Sequence, residues 1–147
     1  NVGEARLHGF DLSAEYNVYR DMVLYGSVSY VRGRDTGSDT DLPEIPPLNA
    51  RAGLRAGFLE YLNADVSATL YDEQEHTAPG ESETPGYTYF DAYINSEPFE
   101  LGAFKLRLFA GIENLTDKAY RSHLSTYRGM NRLEPGRNFF LRTSVEW

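Results

Sequence analysis

The sequence predicts an all-β chain, an antiparallel, up-and-down segment of a transmembrane β-barrel. Three observations carry that expectation. Apolar and polar residues alternate with period two over seven separate segments, the mark of strands whose two faces meet different surroundings. The connections between segments are short and long by turns. Aromatic residues gather at the two ends of the apolar face, where a bilayer has its interfaces.

The first segment, Arg6–Tyr16, places Phe10, Leu12, Ala14 and Tyr16 opposite Gly9, Asp11, Ser13 and Glu15. The second, Met22–Arg32, sets Leu24, Gly26, Val28 and Tyr30 against Tyr25, Ser27 and Ser29. The third, Leu48–Phe58, is sharper, with Leu48, Ala50, Ala52, Leu54, Ala56 and Phe58 against Asn49, Arg51, Gly53, Arg55 and Gly57. In the fourth, Leu62–Tyr71, the apolar set Leu62, Ala64, Val66, Ala68 and Leu70 opposes Asn63, Asp65, Ser67, Thr69 and Tyr71. The fifth, Tyr87–Ser96, gives Phe90, Ala92 and Ile94 against Tyr89, Asp91, Tyr93 and Asn95. The sixth, Phe104–Glu113, gives Phe104, Leu106, Leu108, Ala110 and Ile112 against Lys105, Arg107, Phe109, Gly111 and Glu113. The last, Phe139–Trp147, sets Phe139, Leu141, Thr143, Val145 and Trp147 against Phe140, Arg142, Ser144 and Glu146.

Short connections lie at Asn17–Asp21, Glu60–Tyr61 and Glu97–Gly102, long ones at Gly33–Pro47, Asp72–Gly86 and Asn114–Asn138. Outer-membrane barrels have this plan, with short periplasmic turns and long outer loops. The polar face carries small residues and single charges of both signs, such as Arg51, Asp65, Arg107 and Glu113, as a wide wet lumen would. The apolar face is nearly free of charge through the middle of each strand. Tyr16, Phe58, Phe104 and Trp147 fall near its short-turn end, Tyr30 and Phe139 near its long-loop end. A soluble lipocalin-like barrel needs the faces inverted, with the apolar one inside. Parity adds a further expectation. The last strand runs from the outer surface to the periplasm, so the first of seven also begins outside. Single-chain barrels have even strand numbers with both termini periplasmic, so at least one strand is expected upstream.

Composition agrees. The 147 residues suit one domain, with 14% aromatics of which eleven residues are Tyr. A net charge of -8 argues against a nucleic-acid partner. There is no Cys, hence no disulfide framework and no thiolate metal site. Mean hydropathy is -0.51, and no apolar run approaches the roughly 20 residues of a spanning helix. A barrel strand needs only about 9–11 residues with alternate ones apolar, so low mean hydropathy leaves that class open. The chain opens Asn1-Val2-Gly3, without an initiator Met or an apolar signal segment, as a processed protein or a piece of one would.

The motifs sharpen the class. Gly111-Ile-Glu-Asn-Leu-Thr-Asp-Lys-Ala-Tyr120, then Arg121-Ser-His-Leu124, then Glu134-Pro-Gly-Arg-Asn-Phe-Phe140 resembles the end of a TonB-dependent receptor. Asn1-Val-Gly-Glu-Ala-Arg-Leu-His-Gly-Phe-Asp-Leu12 resembles an earlier strand of that family, with Asp11 in place of its usual Glu. Leu42-Pro-Glu-Ile-Pro-Pro-Leu48 resembles the lead-in to another. The resemblance runs the whole chain. Phe139, Leu141, Val145 and Trp147 resemble the terminal strand that the barrel assembly machinery recognises. Physically these motifs are structural. Asn114 and Asp117 form turns by bonding nearby backbone, Pro135-Gly136 turns into the last strand, and Pro46-Pro47 removes ladder donors ahead of the third.

Few residues invite chemistry. His8, His76 and His123 lack any metal-ligand spacing, and the two in long connections either serve haem or metal capture or, as the missing spacing favours, are exposed loop residues. The acidic loops, Asp35/Asp39/Asp41/Glu44 and Asp72/Glu73/Glu75/Glu81/Glu83, have the charge to gather divalent cations but lack a calcium-loop pattern, which favours solvated, self-repelling loops. Tyr120, Arg121, His123, Tyr127 and Arg128 share the last long loop. They either face an anionic, catechol- or haem-like ligand or fold onto neighbouring loops. No catalytic constellation, metal site or cofactor site is expected, and the chain does not read as an enzyme.

The resemblance implies a Gram-negative outer-membrane receptor importing a metal chelate such as a ferric siderophore, haem or cobalamin. Such barrels have about 22 strands and a plugged lumen. Residues 1–147 then form the C-terminal part of the barrel, without plug or upstream strands. Its expected partners are outer-membrane lipid, the assembly machinery, the remaining strands and, only through the plug, the TonB complex. The isolated chain is expected not to transport. The alternative is a small eight-stranded structural or adhesive barrel missing one strand. The sequence names no substrate.

Overall fold

A computed structural model describes the backbone of residues 4–127 and 130–147, and their side chains apart from residues 126–131. The strands are β1 (Ala5–Tyr19), β2 (Met22–Asp35), β3 (Thr40–Asp41), β4 (Asn49–Leu59), β5 (Leu62–Tyr71), β6 (Tyr87–Ser96), β7 (Phe99–Leu101), β8 (Phe104–Glu113), β9 (Arg121–Tyr127), β10 (Met130–Leu133) and β11 (Asn138–Glu146). Seven long strands make one antiparallel meander in the order β1-β2-β4-β5-β6-β8-β11. This is the expected up-and-down wall, and β1 and β11 are its two edges.

Each long strand forms where the period-two pattern lies, and the ladders hold a regular register. β4 and β5 pair without a shift from Asn49↔Tyr71 to Gly57↔Asn63. A shift of one residue would turn every apolar side chain to the polar face. The short connections close tightly, with Arg20 at φ 33° before β2 and Gly102 at φ 67° before β8. Gly102 suits that left-handed conformation because it has no Cβ to clash.

Several boundaries differ from the expectation. β1 runs on to Tyr19 and β2 to Asp35, because backbone pairing continues where strict alternation has stopped. The connection Glu97–Gly102 contains β7, which folds back on β8. The last long connection contains the β9–β10 hairpin.

Burial is inverted relative to a water-soluble domain. On β5, Ser67 is 2% exposed while its neighbour Val66 is 50% exposed. On β6, Asp91 is 5% exposed and Phe90 is 40% exposed. Phe10, Leu12, Tyr16, Leu24, Leu54, Leu70, Ile94, Phe139, Leu141 and Val145 are likewise exposed on the apolar face. Among the described residues the buried hydrophobic ones are Ala78 and Tyr87 alone. The inner face is therefore polar and the outer face a continuous apolar belt. A soluble barrel would hide that belt, so the lipocalin-like arrangement does not fit.

Candidate functional site

The inner face is wired from strand to strand. Tyr25 on β2 donates from its hydroxyl to Asp65 Oδ1 on β5 at 2.7 Å. Arg55 on β4 places Nε 3.4 Å from Asp65 Oδ2 and lies over the Tyr25 ring, 5.4 Å from its centroid. Arg51 donates to Ser67 Oγ at 3.0 Å. These contacts pair charges across the wall and give the buried Ser67 hydroxyl a partner. Nearer β11, Tyr93, Phe109 and Phe140 form a ring cluster with centroids 5.3–6.1 Å apart. Tyr93 and Phe140 lie across Gly111, where a Cβ would meet Tyr93 Cδ1 at 2.4 Å. The rings thus lie along the wall in space that only glycine leaves.

At the long-loop end the inner face becomes a stack of tyrosines. Tyr71 and Tyr87 are cross-strand partners with centroids 4.9 Å apart. Tyr120 lies 4.3 Å from Tyr87 and 5.3 Å from Tyr89, nearly parallel to both. Burial against these rings pushes the Tyr120 phenol up to about 12, with Tyr89 and Glu134 adding to the rise. The ladder pairs Tyr71 with Tyr87 and sets Tyr89 two residues further along β6, and the last loop lays Tyr120 on Tyr87 and Tyr89.

Beside the stack, three loops meet around His123. Its ring is 1% exposed, with Nδ1 3.2 Å from Thr84 Oγ1 and Nε2 3.2 Å from Glu81 Oε1. Glu81 also accepts backbone N–H groups, from Glu44 at 3.0 Å and from Ala78 at 3.0 Å. Gln74 pairs with Thr84 through backbone and donates from Nε2 to the Ile45 carbonyl at 2.7 Å. The connections β2–β4, β5–β6 and β8–β11 are therefore tied at one buried polar node.

Of the ligand-facing residues expected in the last loop, Tyr120 is stacked and His123 buried, so His123 is not the exposed loop residue its position suggested. Thr84 and Glu81 enclose it. Arg121 is exposed at the start of β9, opposite Leu133. Tyr127 pairs with Met130 through backbone, its side chain outside the described residues, and Arg128 lies wholly outside them. From sequence Tyr71 and Tyr87 are strand residues and Glu81 a solvated loop acid, none of them a site residue, and Thr84 carries no signal. Only the repeat Tyr87-x-Tyr89 at the loop end of a polar face hinted at the stack. The acidic loops are partly paired, Asp39 with Arg34 at 2.9 Å and Asp41 with Arg32 at 3.6 Å. Among the described residues no three potential ligands cluster to hold a metal ion.

The residues expected to form the assembly signal lie on β11 and just past it. Phe139, Leu141, Val145 and Trp147 all face outward, and Trp147 is 95% exposed. Pairing of β11 with β8 runs unbroken from Asn138↔Glu113 to Glu146↔Lys105.

Comparison with known proteins gives a consistent picture. Residues 1–115 match the family model described as TonB dependent receptor-like, beta-barrel. The chain is 27% identical over 134 residues to the heme/hemopexin utilization protein C of Haemophilus influenzae strain Rd, covering 90% of this chain and 18% of that protein. The protein of the same name in strain 86-028NP matches at 27% over 134 residues, 90% of this chain and 19% of it. Among solved structures, a copper transporter, OprC, superposes with a TM-score of 0.81 at 26% identity, over 96% of this chain and 23% of that one. The chain thus spans about a fifth of the length of the relatives it matches.

Proposed function

The chain belongs to the TonB-dependent receptor β-barrel family, and from that premise we propose that it forms the C-terminal part of an outer-membrane receptor's barrel, importing a metal chelate. The carrying observation is the inverted burial, with Ser67 covered and Val66 exposed on one strand. That pattern supports a wall with lipid outside and a polar lumen inside. Two open strand edges, at β1 and β11, do not survive in lipid, so further strands pair with them. A barrel of about 22 strands supplies about fifteen more, and a plug fills its lumen.

The outward aromatic series of β11, ending on Trp147, supports recognition by the barrel assembly machinery. The TonB complex acts through the plug. An iron-bearing chelate, haem or a siderophore complex, is the substrate class, and the names of the haem-utilising relatives support it. The Tyr71/Tyr87/Tyr89/Tyr120 stack and Arg121 lie at the loop end, where such a planar or anionic cargo first meets the wall.

The test is deletion of the whole gene, followed by growth under metal limitation on haem, ferric siderophores, cobalamin or copper as single sources. Loss of growth on haem or on a ferric siderophore is expected, restored by the intact gene and not by a form lacking its TonB-binding segment; loss confined to cobalamin or copper would overturn the iron-bearing class. Unchanged growth on every source would overturn the reading. Recovery of the protein in a detergent-independent soluble fraction would overturn the membrane placement.

A further inference from the structure

Above the apolar belt of β1 and β2, the outward face changes character within two cross-strand pairs. The register is continuous from Ala5↔Asp35 through Arg6↔Arg34, His8↔Arg32, Phe10↔Tyr30 and Leu12↔Val28. All the even-numbered residues in these pairs therefore face the same side as the belt. Phe10 and Tyr30 touch, with centroids 5.9 Å apart, and mark the aromatic limit of the belt. The pairs His8↔Arg32 and Arg6↔Arg34 follow at roughly 7 and 14 Å beyond it, at about 3.4 Å per residue.

Two arginines placed directly across a ladder repel each other. In a chain of net charge -8, acidic neighbours were available to separate them. The acids present reach only the β2 members, Asp39 meeting Arg34 at 2.9 Å and Asp41 meeting Arg32 at 3.6 Å. The second contact is too long for a hydrogen bond, and Arg32 Nε and Asp41 Oδ1 both lack one. Glu4, next along the same face, accepts from Thr36 instead. Arg32 otherwise has His76 Nδ1 3.5 Å away. Among the described residues no acidic side chain pairs with Arg6.

We infer that Arg6, His8, Arg32 and Arg34 form a binding site for the phosphate groups of an outer-leaflet lipid headgroup. The guanidinium fork matches phosphate oxygens in pairs, and His8 adds a ring donor between the arginines. The height is right, because a headgroup phosphate lies just beyond the aromatic interface while its acyl chains run down Phe10, Leu12 and Val28. A phosphate between the pairs relieves the repulsion that the ladder imposes. The inference rests on the membrane placement proposed above.

The test uses the full-length receptor in phosphatidylcholine nanodiscs, with or without bisphosphorylated lipid A, and native mass spectrometry to count bound lipid. Wild type is expected to retain lipid A in preference to phosphatidylcholine and to its dephosphorylated form. Loss of each arginine should weaken retention about fivefold, so R6E/R34E should weaken it about 25-fold or more, while K105E at the opposite end should leave it unchanged. Should R6E/R34E fail to fold, R6Q/R34Q carries the same expectation. Equal retention by wild type and variant would overturn the site. So would competition by soluble glucosamine phosphate, which would mark a free-anion site. Failure to enter phosphatidylcholine discs at all would strike the membrane placement. Entry without preference for lipid A strikes this inference alone.

Discussion

The buried imidazole of His123 lies between Thr84 and Glu81, 3.2 Å from each, and so fastens the last long loop to the loop before it. Nδ1 shares a hydrogen bond with the Thr84 hydroxyl, while Nε2 lies against Glu81 Oε1 without hydrogen-bond geometry, a charge contact alone. Removing the ring leaves a buried carboxylate facing a void and a hydroxyl without its partner. His123→Ala should cost about 1–3 kcal/mol locally, the penalty of an unsatisfied buried polar group. Hydrogen exchange in the intact receptor should rise in residues 72–86 and 114–127 together. Unchanged protection in residues 72–86 would show that the two loops are independent.

Asn114 clasps the end of β8 to the start of β11. Its backbone N–H donates to Asp91 Oδ1 at 3.0 Å, and its amide accepts from Lys118 N–H at 2.8 Å and donates to the carbonyls of Lys118 at 2.9 Å and of Pro135, ahead of β11, at 3.4 Å. Its φ of 50° is one that Asn tolerates and Ala resists. Asn114→Ala should therefore lose all three side-chain bonds and add strain, about 2–3 kcal/mol in all. Asn114→Gly, relieving the strain alone, should recover about 1 kcal/mol of that in denaturant unfolding. Equal stability of the two variants would remove strain from the account.

How much of this was legible in sequence follows from how local each feature is. Period two along Leu62–Tyr71 announces a strand and its faces, because every contact it implies is within the strand or its neighbour. The Asn-Leu-Thr-Asp and Pro-Gly-Arg motifs announce their turns for the same reason, and Asp117 Oδ1 does accept the Arg137 N–H at 2.8 Å. The short strands β3, β7, β9 and β10 carry no period long enough to read. His123 is a loop histidine by position, and only its meeting with Thr84, 39 residues away, makes it buried. The tyrosine stack needs the register Tyr71↔Tyr87 before its members can be seen as neighbours.

Gly111 holds the inner ring cluster against the wall. An added methyl would lie 2.4 Å from Tyr93 Cδ1 and 2.7 Å from Phe140 Cζ, and both rings are hemmed in by Phe109. Gly111→Ala should destabilise the barrel by about 1–3 kcal/mol through overpacking. Gly26→Ala is the matched comparison, since its nearest atom, the Arg51 carbonyl oxygen, stands 3.4 Å away. That variant should be neutral or gain a few tenths from the stiffer unfolded chain. Equal effects of the two would refute the role of the rings.

The raised phenol of Tyr120 makes the loop stack sensitive to alkali. Its ordinary value is 10.0 and its folded value about 12, so the folded protein holds the proton more tightly than the unfolded chain. The stability this contributes is complete below pH 10 and is lost as pH climbs from 10 toward 12. Tyr120→Phe cannot ionise, so over that window its stability should fall less steeply than that of wild type. Tyrosinate absorbance should also show one late-titrating group fewer. Parallel stability curves through the window would refute the assignment.

Val66 separates lipid from water as the surroundings of the apolar face. It sits mid-strand on β5 between Ala64 and Ala68, and half its surface is exposed. An exposed position in a soluble domain accepts a charge within about 0.5 kcal/mol. The middle of a bilayer does not, and an outward Arg there costs a barrel about 2–4 kcal/mol. Near the rim the cost falls to about 0–1 kcal/mol, so Leu62→Arg at the short-turn end should be much milder than Val66→Arg. The contrast depends on depth alone, because both residues share a strand, a face and a substitution. Unfolding of the intact barrel from phosphatidylcholine vesicles measures it. A loss at Val66 below about 0.5 kcal/mol, or one equal to that at Leu62, would mean that no hydrocarbon covers this face.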